Sequence, residues 1–191
     1  MSQLVVAVKS SHKDQEAGRH DVIRGTWGQE LKRAGVEVMF FMGQDPNLDK
    51  GSAKVLKRDE VILDCLDTLV AKKVRGIAKW AVSKKITHLF LCNVSTTLIV
   101  EKFLALPYEP FDYAGDFLSF QPGDPLSYTD PRYAWASEKE GYFISRVAAE
   151  IVADLFPTYS DDDVYVAQCL GPEIRKGLMF GMTLDMKDAV L

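Results

Sequence analysis

Apolar residues in this chain fall into short solid runs that alternate with spaced stripes. Leu4–Val8 is a five-residue apolar run that passes into Lys9-Ser10-Ser11-His12, the pattern of a buried strand ending in a polar loop. From Gln15 to Ala34, Val22, Ile23, Trp27 and Leu31 recur at helical spacing, and Gly35 is a natural stop. Val36–Met42 predicts a second strand, closed by Gly43 and the turn-rich QDPNLDKGS. Val61, Ile62, Cys65, Leu66, Leu69, Val70, Val74, Ile77, Ala78, Ala81 and Val82 then keep an i, i+1, i+4 rhythm. That rhythm predicts one long amphipathic helix, or two in tandem. Leu89–Leu91, inside ITHLFLCNVSTTLIV, predicts a third strand that ends abruptly in small polar residues.

Leu98–Leu106 predicts a further short element. Between Pro107 and Trp135 come five prolines and eight aromatics: Tyr108, Phe111, Tyr113, Phe117, Phe120, Tyr128, Tyr133 and Trp135. Such a stretch forms a lid or binding wall, or packs its rings onto the core. Ser137–Ser145 predicts a turn at Gly141 and a short strand. A helix follows to Phe156, burying Val147, Ala148, Ile151, Val152 and Leu155, and Pro157 ends it. Ser160-Asp161-Asp162-Asp163 opens another helix, and the tail after Gly171 is weakly patterned.

Alternation of strand and helix predicts an α/β fold. We expect one domain over residues 1–191, with a mainly parallel, Rossmann-like sheet flanked by helices and an antiparallel strand near Tyr142. Ligands of such sheets sit beyond the carboxyl ends of the strands. This directs attention to Lys9 and Ser10 after the first strand, and to Asn93–Thr97 after the third. No glycine-rich phosphate fingerprint is present. A net charge of −4 over 191 residues gives no support to a broad phosphate-binding surface. No signal peptide or membrane-spanning run is visible, so a soluble, cytoplasmic or otherwise intracellular protein without a membrane partner is expected. Cys65, Cys92 and Cys169 lack CxxC spacing and read as core thiols. His12, His20 and His88 receive no role.

LVVAVKSSHKDQEAGRHDVIRGTWG resembles the opening strand and R-x(4)-I-R-x-T-W helix of the β-1,3-glycosyltransferases, the family of β-1,3-galactosyltransferases and Fringe. The matching residues are Arg19, Ile23, Arg24, Thr26 and Trp27. VMFFMG is similar to the family's second strand. RDEVILDCLDTLVAKKVRGIAKW resembles its D-x-x-D-x-Y stretch through Glu60, Asp64, Asp67, Arg75 and Trp80. EGYFIS is similar to the end of G-x-G-Y-x-x-S, and DDVYVAQCLG to the E/D-D-V-x-x-G-x-C-L motif. The resemblance implies a GT-A fold and inverting transfer of a sugar from a UDP-sugar to an acceptor hydroxyl, with Asp163 or Asp162 as general base.

The same resemblance, joined to the strand-end reading, places Lys9, Ser10, Arg19, Arg24, Asp64, Arg75, Asn93, Ser95, Thr96, Thr97, Lys139, Gly141 and Tyr142 around the donor. Ser95, Thr96 and Thr97 stand where the family's metal-binding aspartates belong, and neutral side chains do not replace carboxylates beside a diphosphate. No metal cofactor is therefore expected. Lys9, Arg19, Arg24, Arg75 and Lys139 are the cations available to offset leaving-group charge. The acceptor is open: a glycan, a protein or a modified base in nucleic acid. A second reading is a catalytically inactive GT-A module used for binding or scaffolding; a third is a transferase acting on modified bases.

Overall fold

A computed structural model describes residues 3–46, 56–118, 135–158 and 161–191. Part of the QDPNLDKGS turn, Phe120, Tyr128, Tyr133 and Ser160 lie outside the described residues.

The first strand, β1 (Leu4–Lys9), is buried along its whole length. Its alternate residues divide between two cores, because successive side chains of a strand point to opposite faces. Val5 and Ala7 join one apolar cluster, and Leu4, Val6 and Val8 join the other. β1 lies between two parallel neighbours, β2 (Glu37–Gln44) and β4 (His88–Asn93). The parallel set is completed by β3 (Glu60–Leu66) beside β2.

Beyond β4 the sheet turns antiparallel through β8 (Tyr142–Ser145). It ends with β5 (Tyr113–Gly115) and β9 (Gly181–Thr183), giving the order β3-β2-β1-β4-β8-β5-β9 among the described residues. A two-stranded ribbon, β6 (Phe117–Leu118) with β7 (Trp135–Ala136), stands apart. Helices α4 (Val70–Lys84), α6 (Arg146–Asp154) and α7 (Asp162–Arg175) cover one face. Helices α2 (Arg19–Gly25), α3 (Trp27–Arg33) and α5 (Val100–Leu104) cover the other. The expected α/β class, mainly parallel sheet and antiparallel strand at Tyr142 are all present.

Four expectations need correction. The helix proposed for Gln15–Ala34 is three: α1 (His12–Glu16), α2 and α3. Gly18 breaks the first joint with φ 76°, a region open to glycine at little cost. Thr26, at φ −119° and ψ −123°, breaks the second. Val22 points outward, whereas Ile23, Trp27 and Leu31 are buried as predicted.

Second, the first part of the Val61–Val82 helix is strand β3. Leu63 is buried and Val61 and Cys65 pack on the core, while Ile62 and Leu66 face outward. Those exposed apolar residues made a period-two strand read as helical. Third, the C-terminal tail contributes β9, which pairs in parallel with β5.

Fourth, Val147 and Leu155 of the following helix are exposed. Its packing face is the small set Ala148, Ala149, Val152 and Ala153, which lets α6 lie close to α4. Of the Pro107–Trp135 aromatics, Tyr108 stacks on Phe143 at 4.5 Å and Tyr113 is buried, so these rings are core. The three cysteines are free thiols.

Candidate functional site

The chain runs β1, β2, β3 to one side and then returns to place β4 on the other side of β1. The carboxyl ends of β1 and β4 are therefore the point where the winding reverses, and the diverging connections leave a crevice there. Lys9 and Asn93 are register partners at those ends. Ser95 and Thr97 are exposed in the loop after β4. Thr96 is buried, its hydroxyl accepting from the Asn93 amide at 3.2 Å, a local turn that fixes the loop's direction.

The loop before β8 reaches the same place. Asn93 Nδ2 donates to the Glu138 carbonyl at 3.3 Å. Gly141 has φ 84°, and a Cβ there would lie 2.5 Å from Phe90 Cζ and 2.7 Å from the Leu91 carbonyl. Only glycine lets this turn rest on β4.

The amino-terminal turn of α7 brings Asp162 into ion-paired contact with Lys9, whose ammonium also stands 3.8 Å from Glu138. Lys9 and Asp162 are both buried. Burial opposes the charge of Asp162, but Lys9 above all, together with the neighbouring Glu138, outweighs it and holds the carboxyl below its usual range. Glu138 moves the other way: Asp162 beside it, then partial burial, push its carboxyl up to about 7. Asp163 is half-buried and raised chiefly by that burial, with one oxygen accepting from the Val164 amide at 2.7 Å. Tyr142 is fully buried, and neither its hydroxyl nor Asp162 Oδ1 has a hydrogen-bond partner. Two carboxyls driven apart in acidity within one crevice are the usual setting of proton transfer. Nothing local in SEKEGY marked Glu138; the approach of Lys9 and Asp162 gives it its properties.

Four other sequence candidates, Arg19, Arg24, Asp64 and Arg75, lie elsewhere. Arg24 forks onto Asp59 with two bonds of 2.7 Å and also holds Asp21 and Glu60; the Asp59 bonds above all raise its pKa further. Arg75 donates to the Ala153 carbonyl at 3.0 Å and lies over the Phe156 ring, so it ties α4 to α6. Asp64 lies on the exposed side of β3, hydrogen-bonded to Gln44. Arg19 pairs with Asp14 at 3.3 Å while its side chain stays half exposed. Lys139 extends into solvent beside Glu140 at the crevice rim.

Ser10 is buried, its hydroxyl 2.6 Å from His20 Nε2, and His20 Nδ1 is 2.9 Å from Glu60 Oε1. These are the residue types of a nucleophilic triad, but Ser10 and His20 are only 3% and 1% exposed. A substrate cannot reach them, so the series braces the end of β1 from the α2 side. From the α4 side, Lys73 donates to the Ser10 carbonyl at 2.6 Å.

Burial opposes the charge of Glu60, yet His20 and Arg24 bring its pKa down to about 2. A carboxyl depressed in the folded state stabilises above its unfolded pKa and loses that contribution as pH falls through the folded value. Urea midpoints are expected to drop between about pH 4.5 and 2, by an amount on the order of 3 kcal/mol in stability. Glu60→Gln should start lower at pH 7 and show a flatter fall over that window.

A cleft of about 650 Å³ opens at the other end of the sheet, lined among others by Trp80, Met39, Arg58 and Lys84. Arg24 also lines it, with four of its five N–H donors already turned onto carboxylates. It lies at the amino ends of the strands, away from the reversal point.

No family model matches the chain, and no match to it was found among curated proteins. Among solved structures, one from Desulfovibrio desulfuricans G20 described as a "putative nucleotide-diphospho-sugar transferase" aligns over 96% of this chain and 80% of its own, with a TM-score of 0.52 and 14% identity. The two chains share the fold. A197 from STIV aligns over 97% of this chain and 83% of its own at 13% identity, but with a TM-score of only 0.42. The likeness thus reaches the fold, one level coarser than the β-1,3-glycosyltransferase family that the motifs resemble. Among the described residues, no helix is long and apolar enough to cross a membrane.

Proposed function

We propose that this chain transfers a sugar from a UDP-sugar to an acceptor hydroxyl, with inversion, in the crevice at the carboxyl ends of β1 and β4. One juxtaposition supports this reading above all. The topological reversal brings the Lys9 ammonium, Asn93 and the carboxyls of Asp162 and Glu138 together in a nucleotide-sugar-transferase-like fold. Nucleotide ligands of open α/β sheets occupy that position.

The donor set does not fit the divalent cation usual for such chemistry. Ser95, Thr96 and Thr97 offer no carboxylate, and Asp162 is already neutralised by the ammonium of Lys9. No cluster of three or more His, Cys, Asp or Glu among the described residues is arranged to hold a metal. In this reading Lys9 is the fixed internal cation, Lys139 on the rim is free to follow the diphosphate, and the leaving charge is met without a metal. Asn93, Ser95, Thr97 and the Gly141–Tyr142 turn line the donor's place.

Calorimetric titration with UDP, UDP-glucose, UDP-galactose and UDP-N-acetylglucosamine, in Mn²⁺ and again in EDTA, tests the reading. Binding is expected in both buffers, within about threefold. Binding abolished by EDTA would overturn the metal-free site. No binding in either buffer would favour the fold as a binding module without a UDP donor.

A further inference from the structure

We propose that Glu138, set beside the Lys9–Asp162 pair that positions it, is the group that takes the proton from the attacking hydroxyl; the inference rests on the glycosyl-transfer reading above. The sequence motif directs this role to Asp162 or Asp163. Asp162 is fully buried with Oδ2 held by Lys9, which leaves no path for an acceptor to touch it. Asp163 uses an oxygen to accept from the Val164 amide in the first turn of α7. Glu138 is different, because its side chain is 49% exposed at the crevice while its carboxyl reaches inward to Lys9 and Asp162.

A carboxylate only accepts hydrogen bonds. Glu138 and Asp162, both set against the single Lys9 ammonium, therefore repel one another unless one of them carries a proton. Lys9 favours the charge on Asp162, so that proton resides on Glu138. That places an O–H on the crevice side of the buried pair, whose Asp162 Oδ1 has no hydrogen-bond partner. With the proton in place, Lys9, Asp162 and Glu138 sum to zero charge; without it they carry one negative charge.

The groups facing Glu138 come from three elements. They are Lys9 on β1, Asp162 and Asp163 on α7, and the neutral, buried Tyr142 on β8. Asp162 and Asp163 raise the cost of ionising Glu138 and Lys9 lowers it, which leaves the carboxyl near 7. It is thus deprotonated and able to act as a base just above neutrality.

In the transfer step, the acceptor O–H bond breaks and its proton passes to a Glu138 oxygen. The acceptor oxygen bonds to the anomeric carbon as the bond from that carbon to the diphosphate oxygen breaks, and UDP leaves with the electron pair. Glu138 then returns its proton to solvent through its exposed side.

The test uses water as acceptor, following UDP release from whichever donor binds in calorimetry, between pH 6 and 9. Wild-type kcat is expected to rise through about pH 7 and then level. Glu138→Gln should lower kcat by about 10²- to 10⁴-fold and abolish that rise, while UDP affinity changes by less than about threefold. Glu138→Asp should restore part of kcat together with the pH dependence. A purely structural residue would lower binding and rate together and leave the profile's shape alone.

Near-wild-type kcat in Glu138→Gln would overturn the assignment, as would a rise that persists there and disappears in Asp163→Asn. Wild-type protein that binds UDP but releases none, or releases it at a rate independent of pH, would overturn the assignment and leave the donor reading standing. Failure of the wild type to bind UDP would remove both.

Discussion

Replacing Lys9 by methionine is expected to cost about 3–5 kcal/mol of stability, because it leaves Asp162 charged and unpaired in the interior. A chain of this size should melt roughly 6–20 °C lower for such a loss. The size of the effect follows from burial: Lys9 is 4% exposed and Asp162 0%, so water replaces neither partner. Lys9→Met combined with Asp162→Asn removes both charges and should regain most of the lost stability. It should not regain nucleotide binding, since the ammonium at the end of β1 is absent in both variants. Urea unfolding and UDP calorimetry on the two variants separate these effects. Equal stability of the single and double variants would show that the pair is not what holds the crevice together.

Gly141→Ala is the second large effect. The added methyl would lie 2.5 Å from Phe90 Cζ and 2.7 Å from the Leu91 carbonyl oxygen, and the second of these belongs to the backbone of a central strand. The position also has φ 84°, at which any side chain adds about 1–2 kcal/mol. Strain and clash together should exceed about 3 kcal/mol, read as a lowered urea midpoint. Relief of the clash requires the turn to lift from β4. The Asn93–Glu138 bond of 3.3 Å breaks with it, and the pH dependence assigned to Glu138 should flatten in whatever protein remains folded. A variant as stable as the wild type would show that the turn does not rest on β4 as described.

Strands buried on both faces were legible because burial leaves no polar position to disturb the run. LVVAV and LFL are such runs, and they became β1 and β4. The edge strand β3 was not, since Ile62 and Leu66 are apolar and yet exposed, at 42% and 45%. Periodicity records which residues are apolar, not which are covered. β9 escaped for a related reason: its pairing with β5 joins segments far apart in sequence, and three residues carry too little pattern to announce it.

The site divides along the same line. Lys9 and Asn93 followed from strand ends and a general rule about where open sheets bind. Asp162 entered through a motif, but that it would be sealed inside by Lys9 depends on packing between the first strand and a late helix. Arg24 and Arg75 have the right chemistry for a diphosphate, but Arg24 is turned onto Asp59 and Glu60, and Arg75 onto a helix carbonyl and the Phe156 ring. Which cations remain free is a property of the folded contacts, and no local stretch of sequence states it.

The loop after β4 is pinned by residues that come late in the chain. Leu191 donates its amide to the Thr97 carbonyl at 2.9 Å, the Ile99 amide donates to Ala189 at 2.9 Å, and Leu98 bridges Val190. During vectorial synthesis β1, β2 and β4 emerge long before those partners exist. The crevice therefore acquires its last wall only after residues 189–191 dock, and a nascent chain halted short of them would have its parallel sheet but not its finished binding place.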